Sequence, residues 1–239
     1  MAVLSLTWPL AYYVPEDRYV TVDYLLRKRR AGDLRAGDCF DNREAFYNDE
    51  RVLTISIHES GQWLFPGTGS VAEIGEGPGT GFSVNIPLYP YTSDDDYVEA
   101  FGHVVPPLVA AFAPDILVTQ LGIDSYHNDP LTHLQVTTGG YIAAVRQLAG
   151  LGLPWLALGG GGYDVSAVAR AWTLVYGVML GAEWPDQLPI AFSKEHRVAR
   201  LRDQLSPEVP SEIRIDARRY MEDVVGAIRQ QIFPLHGLV

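Results

Sequence analysis

The chain has 239 residues, 47% of them apolar and 20% charged, with a net charge of −11 and a single cysteine, Cys39. That length holds one sizeable core or two small ones, and the composition is that of a globular domain. The acidic balance argues against nucleic acid as a direct partner; no apolar run is long enough to span a bilayer; one cysteine excludes an internal disulfide and fits a reducing cytoplasm.

The first ten residues carry no cationic leader of the secretory kind. Ala11-Tyr12-Tyr13-Val14 reads as a strand and Val20 to Arg30 as a helix. The basic cluster Arg27-Lys28-Arg29-Arg30 is the solvated end of that helix. Gly32 to Asn42 is polar and loop-like, and Glu44-Ala45-Phe46-Tyr47 forms a short helical turn. Val52 to His58 is β-branched and alternating, which predicts a strand. Trp63 to Gly81 is a long glycine-rich loop, a type that is usually functional when ordered. Phe82 to Leu88 is a second strand. Ser93-Asp94-Asp95-Asp96 supplies an N-cap and first-turn acids for a helix reaching Phe112. Ile116 to Leu121 is a third strand, and Gly122 to Thr138 is irregular. A helix opens at Thr137 or Thr138 and runs to Leu148. The apolar run Leu153 to Leu158 predicts a buried strand, with its core at Pro154 to Leu158. Four glycines follow, then a helix from Val165 to Leu180, and Glu208 to Ile232 is a terminal helix. Strands alternating with helices predict an α/β fold with a mostly parallel sheet and right-handed crossovers.

Such a sheet binds ligands beyond the carboxyl ends of its strands. Three strand ends carry polar groups there: Ser56-Ile57-His58, Asp124 with His127 and Asp129, and Gly159-Gly160-Gly161-Gly162-Tyr163. An aspartate with histidine suits zinc or another divalent ion, and a tyrosine can donate to a developing oxyanion. The plainer alternatives are an Asx-turn at Asp124, a structural His58 bonding backbone carbonyls, surface histidines at 127 and 133, a routine Asp129-Pro130 turn, and a glycine-rich packing turn beside a core tyrosine. A nucleotide-binding reading of the glycines lacks the phosphate-loop patterns.

Several motifs taken together resemble the class I histone deacetylases and, more closely, the bacterial acetoin utilization (AcuC) family. They are Glu44-Ala45-Phe46-Tyr47, Val52 to His58, Phe65-Pro66-Gly67-Thr68-Gly69, Ile74-Gly75-Glu76-Gly77, Asn85-Ile86-Pro87-Leu88, Gly122-Ile123-Asp124-Ser125 with Asp129-Pro130-Leu131, Leu158 to Tyr163, and Ala169-Arg170-Ala171-Trp172. The resemblance implies an arginase-like α/β sandwich with a mostly parallel eight-stranded sheet. Residues 44–190 form the matching core of a single domain, 1–43 a divergent N-terminal segment and 191–239 a helical extension. It also implies a zinc-dependent amidohydrolase acting on acetyl-lysine or a small acetylated amine. In it Asp124 is a zinc ligand, Tyr163 donates to the acetyl carbonyl in the transition state, and Gly161 and Gly162 shape the substrate channel. Ser56 and Ile57 surround a monovalent cation such as K⁺, and Phe46 contributes to a second.

The sequence departs from the family upstream. The Asp-x-His-His-Gly-Asp-Gly ligand motif should precede Glu44; counted back without a gap, its ligand aspartate falls on Arg35 and its ligand histidine on Gly37. Neither can bind zinc. Asp38, Cys39 and Asp41 are the nearby alternative donors, and the paired catalytic histidines have no counterpart. The expectation is therefore an impaired hydrolase, or a non-catalytic binding module of the same family. Loss of the first strands and helices predicts an uncovered sheet edge, open to self-association or to a missing partner segment, with Leu4 to Val14 as a substitute edge strand.

Overall fold

A computed structural model describes residues 1–5, 46–65 and 67–239, with the backbone alone for 2–5. The described residues form one five-stranded sheet in the order β3-β2-β1-β4-β5, parallel at every pairing. The strands are β1 (Ala2–Ser5), β2 (Leu53–Glu59), β3 (Ser83–Leu88), β4 (Leu117–Leu121) and β5 (Trp155–Gly159). Five α-helices accompany them: α1 (Asp94–Phe112), α2 (Thr138–Ala149), α3 (Val165–Leu180), α4 (Ile190–His196) and α5 (Ser211–Gln231).

Alternation decides which face of the sheet is greasy. Leu53, Ile55 and Ile57 of β2, Val84, Ile86 and Leu88 of β3, and Leu117 and Leu121 of β4 join one core with α1, α2, α3 and α5. The residues between them, Thr54 and Ser56 in β2, Asn85 in β3 and Gln120 in β4, point to the other face. The helices lie side by side over the apolar face: α5 packs on β3 and α1, α1 on α2, and α2 on α3. Completely buried Tyr97, Phe101 and Leu108 on α1 and Tyr141 on α2 fill the centre.

Caps set the helix limits. Thr137 accepts from Gly139 N and Gly140 N at the start of α2, and Asp164 from Ser166 N and Ala167 N at the start of α3. α3 stops at Gly181, whose φ of +63° suits a residue without a Cβ. Ser93 holds the N-cap position of α1, but its hydroxyl makes no capping bond. Instead Asp94 reaches across to Thr137, accepting from its N–H at 2.7 Å and its hydroxyl at 2.6 Å.

Two expectations need correction. The N-terminal strand is Ala2–Ser5, and it does not cap an edge: it sits in the middle of the sheet between β2 and β4. β5 is not buried: Leu156 and Leu158 stand open, because the strand pairs only with β4 among the described residues. The described residues supply five strands of the sheet. α4 was not foreseen; none of its residues is buried, so no apolar period marks it. The expected strand at 11–14, the helix at 20–30 with its basic cluster, and Arg35, Gly37, Asp38, Cys39 and Asp41 lie outside the described residues. No described helix is long and apolar enough to cross a membrane.

Candidate active site

Because every strand pairing is parallel, the segments leaving β2, β4 and β5 emerge at one end of the sheet. Two of them are stitched together. Ile123 N donates to Gly161 O at 2.9 Å, and Tyr163 N donates to Asp129 Oδ2 at 2.7 Å. The glycines permit this approach: a methyl on Gly160 would come within 2.7 Å of Gly122 N, one on Gly161 within 2.6 Å of Asp124 Oδ2, and one on Gly162 within 2.5 Å of Ile123 Cγ2. Gly162 also has a φ of +120°, which side chains resist. The glycine run therefore lies against the floor made by 122–124, with the Asp124 carboxylate beneath it and the Tyr163 backbone fixed just beyond.

Three acids crowd this corner. Glu59, its side chain wholly buried, accepts from His133 N at 2.6 Å and pairs with His133 Nδ1 at 2.8 Å. Asp129 accepts from Leu131 N and Tyr163 N. Asp124 is buried, and its backbone carbonyl accepts from the Thr132 hydroxyl. Burial, and then the charges of Asp129 and Glu59, push the Asp124 carboxyl well above the ordinary range. Burial likewise raises Asp129, against the pull of its backbone donors. An enclosed carboxylate beside two others is stable only with a proton or a cation.

The remaining expected site residues are placed as follows. Ser56 Oγ lies 2.9 Å from His58 Nδ1, and His58 Nε2 is 3.1 Å from Gly69 O, so buried His58 ties β2 to the glycine-rich loop in the structural role. Ile57 is buried in the core. Phe46 is buried with Val52, and its carbonyl accepts from Asp49 N at 3.0 Å. His127 packs against Tyr126, their rings tilted by 44° and their centroids 4.3 Å apart. A cleft of 390 Å³ opens between the 60–71 loop and α5, lined by Ser60, Thr68, Tyr220 and Asp223 among others; neither Asp124 nor Tyr163 lines it.

A zinc site asks for three protein ligands. No group of three His, Cys, Asp or Glu side chains among the described residues could hold a metal. The donor set of the described residues thus falls short of the zinc that the resemblance implies.

Two positioning features escaped sequence reasoning. Asp129 looked like half of an Asp-Pro turn, yet it joins the Asp124 loop to the Tyr163 backbone. Arg170 is buried on α3, where its guanidinium bonds Arg200 O, Leu201 O, the Tyr126 hydroxyl and Asp203. Asp203 also accepts from Tyr126 OH and Thr138 N. This cluster locks the Asp124 loop, α2 and α3 to the 200–203 segment. The signal available in the sequence was the single cation in an otherwise apolar helix.

The histone deacetylase domain family matches residues 33–179. The chain belongs to the histone deacetylase family. It is 37% identical over 204 residues to the acetoin utilization protein AcuC of Bacillus subtilis (strain 168), covering 79% of this chain and 52% of that protein. It is 40% identical over 157 residues to histone deacetylase 1 of Homo sapiens, covering 66% and 32%. A crystal structure of an HDAC homolog complexed with SAHA superposes with a TM-score of 0.68 at 25% identity, over 94% of this chain and 56% of the other. The deacetylase fold is thus shared, while the chain spans about half the length of AcuC.

Proposed function

We propose that this chain is a deacetylase-fold amidohydrolase of impaired zinc binding, whose substrates are acetylated amines: acetyl-lysine in a protein, or a small acetylated amine. The observation that carries the reading is the joined pair of loops in which a buried Asp124 carboxylate underlies Gly161 and the Tyr163 backbone is held by Asp129. In this reading Asp124 is the retained zinc ligand, and Gly161 and Gly162 form the wall along the acyl group. The Tyr163 phenol donates to the acetyl oxygen as the carbon becomes tetrahedral, where a fixed donor acts most strongly. Ser56, Ile57 and Phe46 surround monovalent cations such as K⁺. A single cysteine supports a reducing, cytoplasmic setting, and self-association through the uncovered sheet edge belongs to the same proposal.

The impairment rests on Arg35 and Gly37, which stand where two metal ligands of the family motif are expected. The same two residues favour a second reading, a binding module that holds an acetylated ligand without cleaving it. Hydrolysis of a fluorogenic acetyl-lysine peptide, with and without added zinc, separates the two. Slow, chelator-sensitive turnover supports the enzyme. Peptide binding without turnover supports the module, and neither binding nor turnover contradicts both. Under the enzyme reading Tyr163→Phe lowers kcat by about 100-fold while changing KM little; equal losses in both would remove Tyr163 from the transition state.

A further inference from the structure

The first turns of α1 and α2 are locked side by side. Asp94, at the start of α1, accepts from both the N–H and the hydroxyl of Thr137, the cap of α2. Gly140 permits the approach, since a methyl there would collide with the Asp94 carboxylate. The segment before α2 is joined in turn to the Asp124 loop, Val136 N donating to Ser125 O at 3.2 Å. Tyr97 is the fourth residue of α1 and Tyr141 the fourth of α2, and both rings are fully buried. Ser125, also buried, follows Asp124 directly.

These side chains bring three hydroxyls into an apolar interior. Among the described residues, Tyr97 Oη, Tyr141 Oη and Ser125 Oγ are buried and complete no hydrogen bond. They form one cluster. Burial and then the charge of Asp124 push the Tyr97 phenol up, while the nearby Ser125 hydroxyl pulls it down. Burial, then Tyr97, then Asp124 raise the Tyr141 phenol. Hydroxyls that lie close to one another without closing a bond stand at the spacing a bridging water spans. Filling the core would by itself favour phenylalanine at 97 and 141, because an unpartnered hydroxyl is costly to bury. Tyr126 offers the contrast: its hydroxyl donates to Asp203 and accepts from Arg170.

We propose that the hydroxyls of Tyr97, Ser125 and Tyr141 hold an ordered water, buried between α1, α2 and the residue that follows Asp124. A water stays in a protein interior when it has about two to four polar partners, and this cluster offers three. Each hydroxyl can donate or accept, so the three together satisfy both protons of the water and one of its lone pairs without a charged group. The water ties the first turns of the two helices to the loop that carries Asp124. The floor of the candidate site thereby has a polar footing inside the apolar core that surrounds Tyr97 and Tyr141. The proposal is independent of the deacetylase reading, since it is measured by diffraction and by stability, without reference to turnover.

A high-resolution crystal structure of the full chain, with urea denaturation of three variants, tests it. Density for a water within hydrogen-bond distance of all three hydroxyls is expected. Tyr97→Phe and Tyr141→Phe are each expected to lower the folding equilibrium constant by about tenfold, as loss of one bond from a closed network does. Ser125→Ala, on a different element, is expected to do the same. Dry hydroxyls predict the opposite sign, because each substitution then removes a polar group that had no partner. Stability that is unchanged or raised in the Phe variants would therefore overturn the proposal. So would density that shows the hydroxyls bonded directly to one another or to another protein group. The water is expected to be lost from the protein carrying both Phe substitutions, where one hydroxyl remains to hold it; a water that persists there would also overturn the proposal.

Discussion

Glu59 and Asp129 are each held by hydrogen bonds from neighbouring residues, and buried Asp124 lies close to both. The position of its carboxylate depends on the bare Cα of Gly161. A Gly161→Ala methyl would stand 2.6 Å from Asp124 Oδ2, and either the acid or the glycine run must move. We expect a loss of about 1–3 kcal/mol, the usual cost of forced overpacking. Gly226→Ala is the control: it lies in α5 with nothing within 4 Å, and is expected to gain about 0.5–1 kcal/mol from helix propensity. Urea denaturation of both variants checks the contrast, and similar effects would argue against the close approach.

The Arg170–Asp203 pair makes a second statement at this scale. Burial by itself would raise the Asp203 carboxyl; the Thr138 N–H and the Arg170 guanidinium outweigh it and hold the group below its ordinary value. A depressed carboxyl contributes stability above its unfolded pKa, about 4. That contribution disappears as pH falls through the folded value. Asp203→Asn leaves the guanidinium without its charge partner, so we expect a loss of about 3 kcal/mol at neutral pH and a shallower fall in stability below about pH 4. Thermal unfolding as a function of pH reads both. An unchanged acid limb would show that another carboxylate dominates it.

At the scale of elements, local signals were legible where they sufficed. α3 runs from Val165 to Leu180 as its pattern predicts, since Asp164 caps one end and Gly181 the other. The glycine-to-tyrosine turn and the strands at 53–59, 83–88 and 117–121 follow in the same way, from β-branched runs between turn residues. What long-range pairing decides was not legible. Nothing in Ala2-Val3-Leu4-Ser5 announces that it lies between strands that begin about fifty and more than a hundred residues later. Nor does the run Leu153 to Leu158 reveal that no further strand in the described residues joins it. The importance of β1 is open to test. Proline at position 4 removes an N–H from a strand paired on both sides. Leu4→Pro should cost about 3 kcal/mol or more, seen as a large drop in melting temperature or loss of soluble protein. A variant as stable as the wild type would remove β1 from the centre of the sheet.

At the scale of the whole molecule, the site combines a kept part and a departed part. The elements carrying Asp124, Gly161, Gly162 and Tyr163 are in place in a deacetylase fold. The sequence before Glu44 offers Arg35 and Gly37 where the resemblance expects an aspartate and a histidine. The family could be read from the sequence because many short motifs agree in order, each fixed by a local turn or strand end. The roles of Asp129 and Arg170 could not, since their partners are 34 and 33 residues away. Zinc content and turnover bear on the whole arrangement, because a tight site needs three ligands and the described residues hold no group of three donors.

The most direct measurement is elemental analysis of the purified chain beside an acetyl-lysine assay, repeated on Asp124→Ala. The account predicts zinc well below one ion per chain, turnover that is slow and abolished by chelation, and loss of the remaining zinc in Asp124→Ala. One zinc per chain with rapid turnover would contradict the impairment, and zinc content unchanged in Asp124→Ala would contradict the ligand role of Asp124.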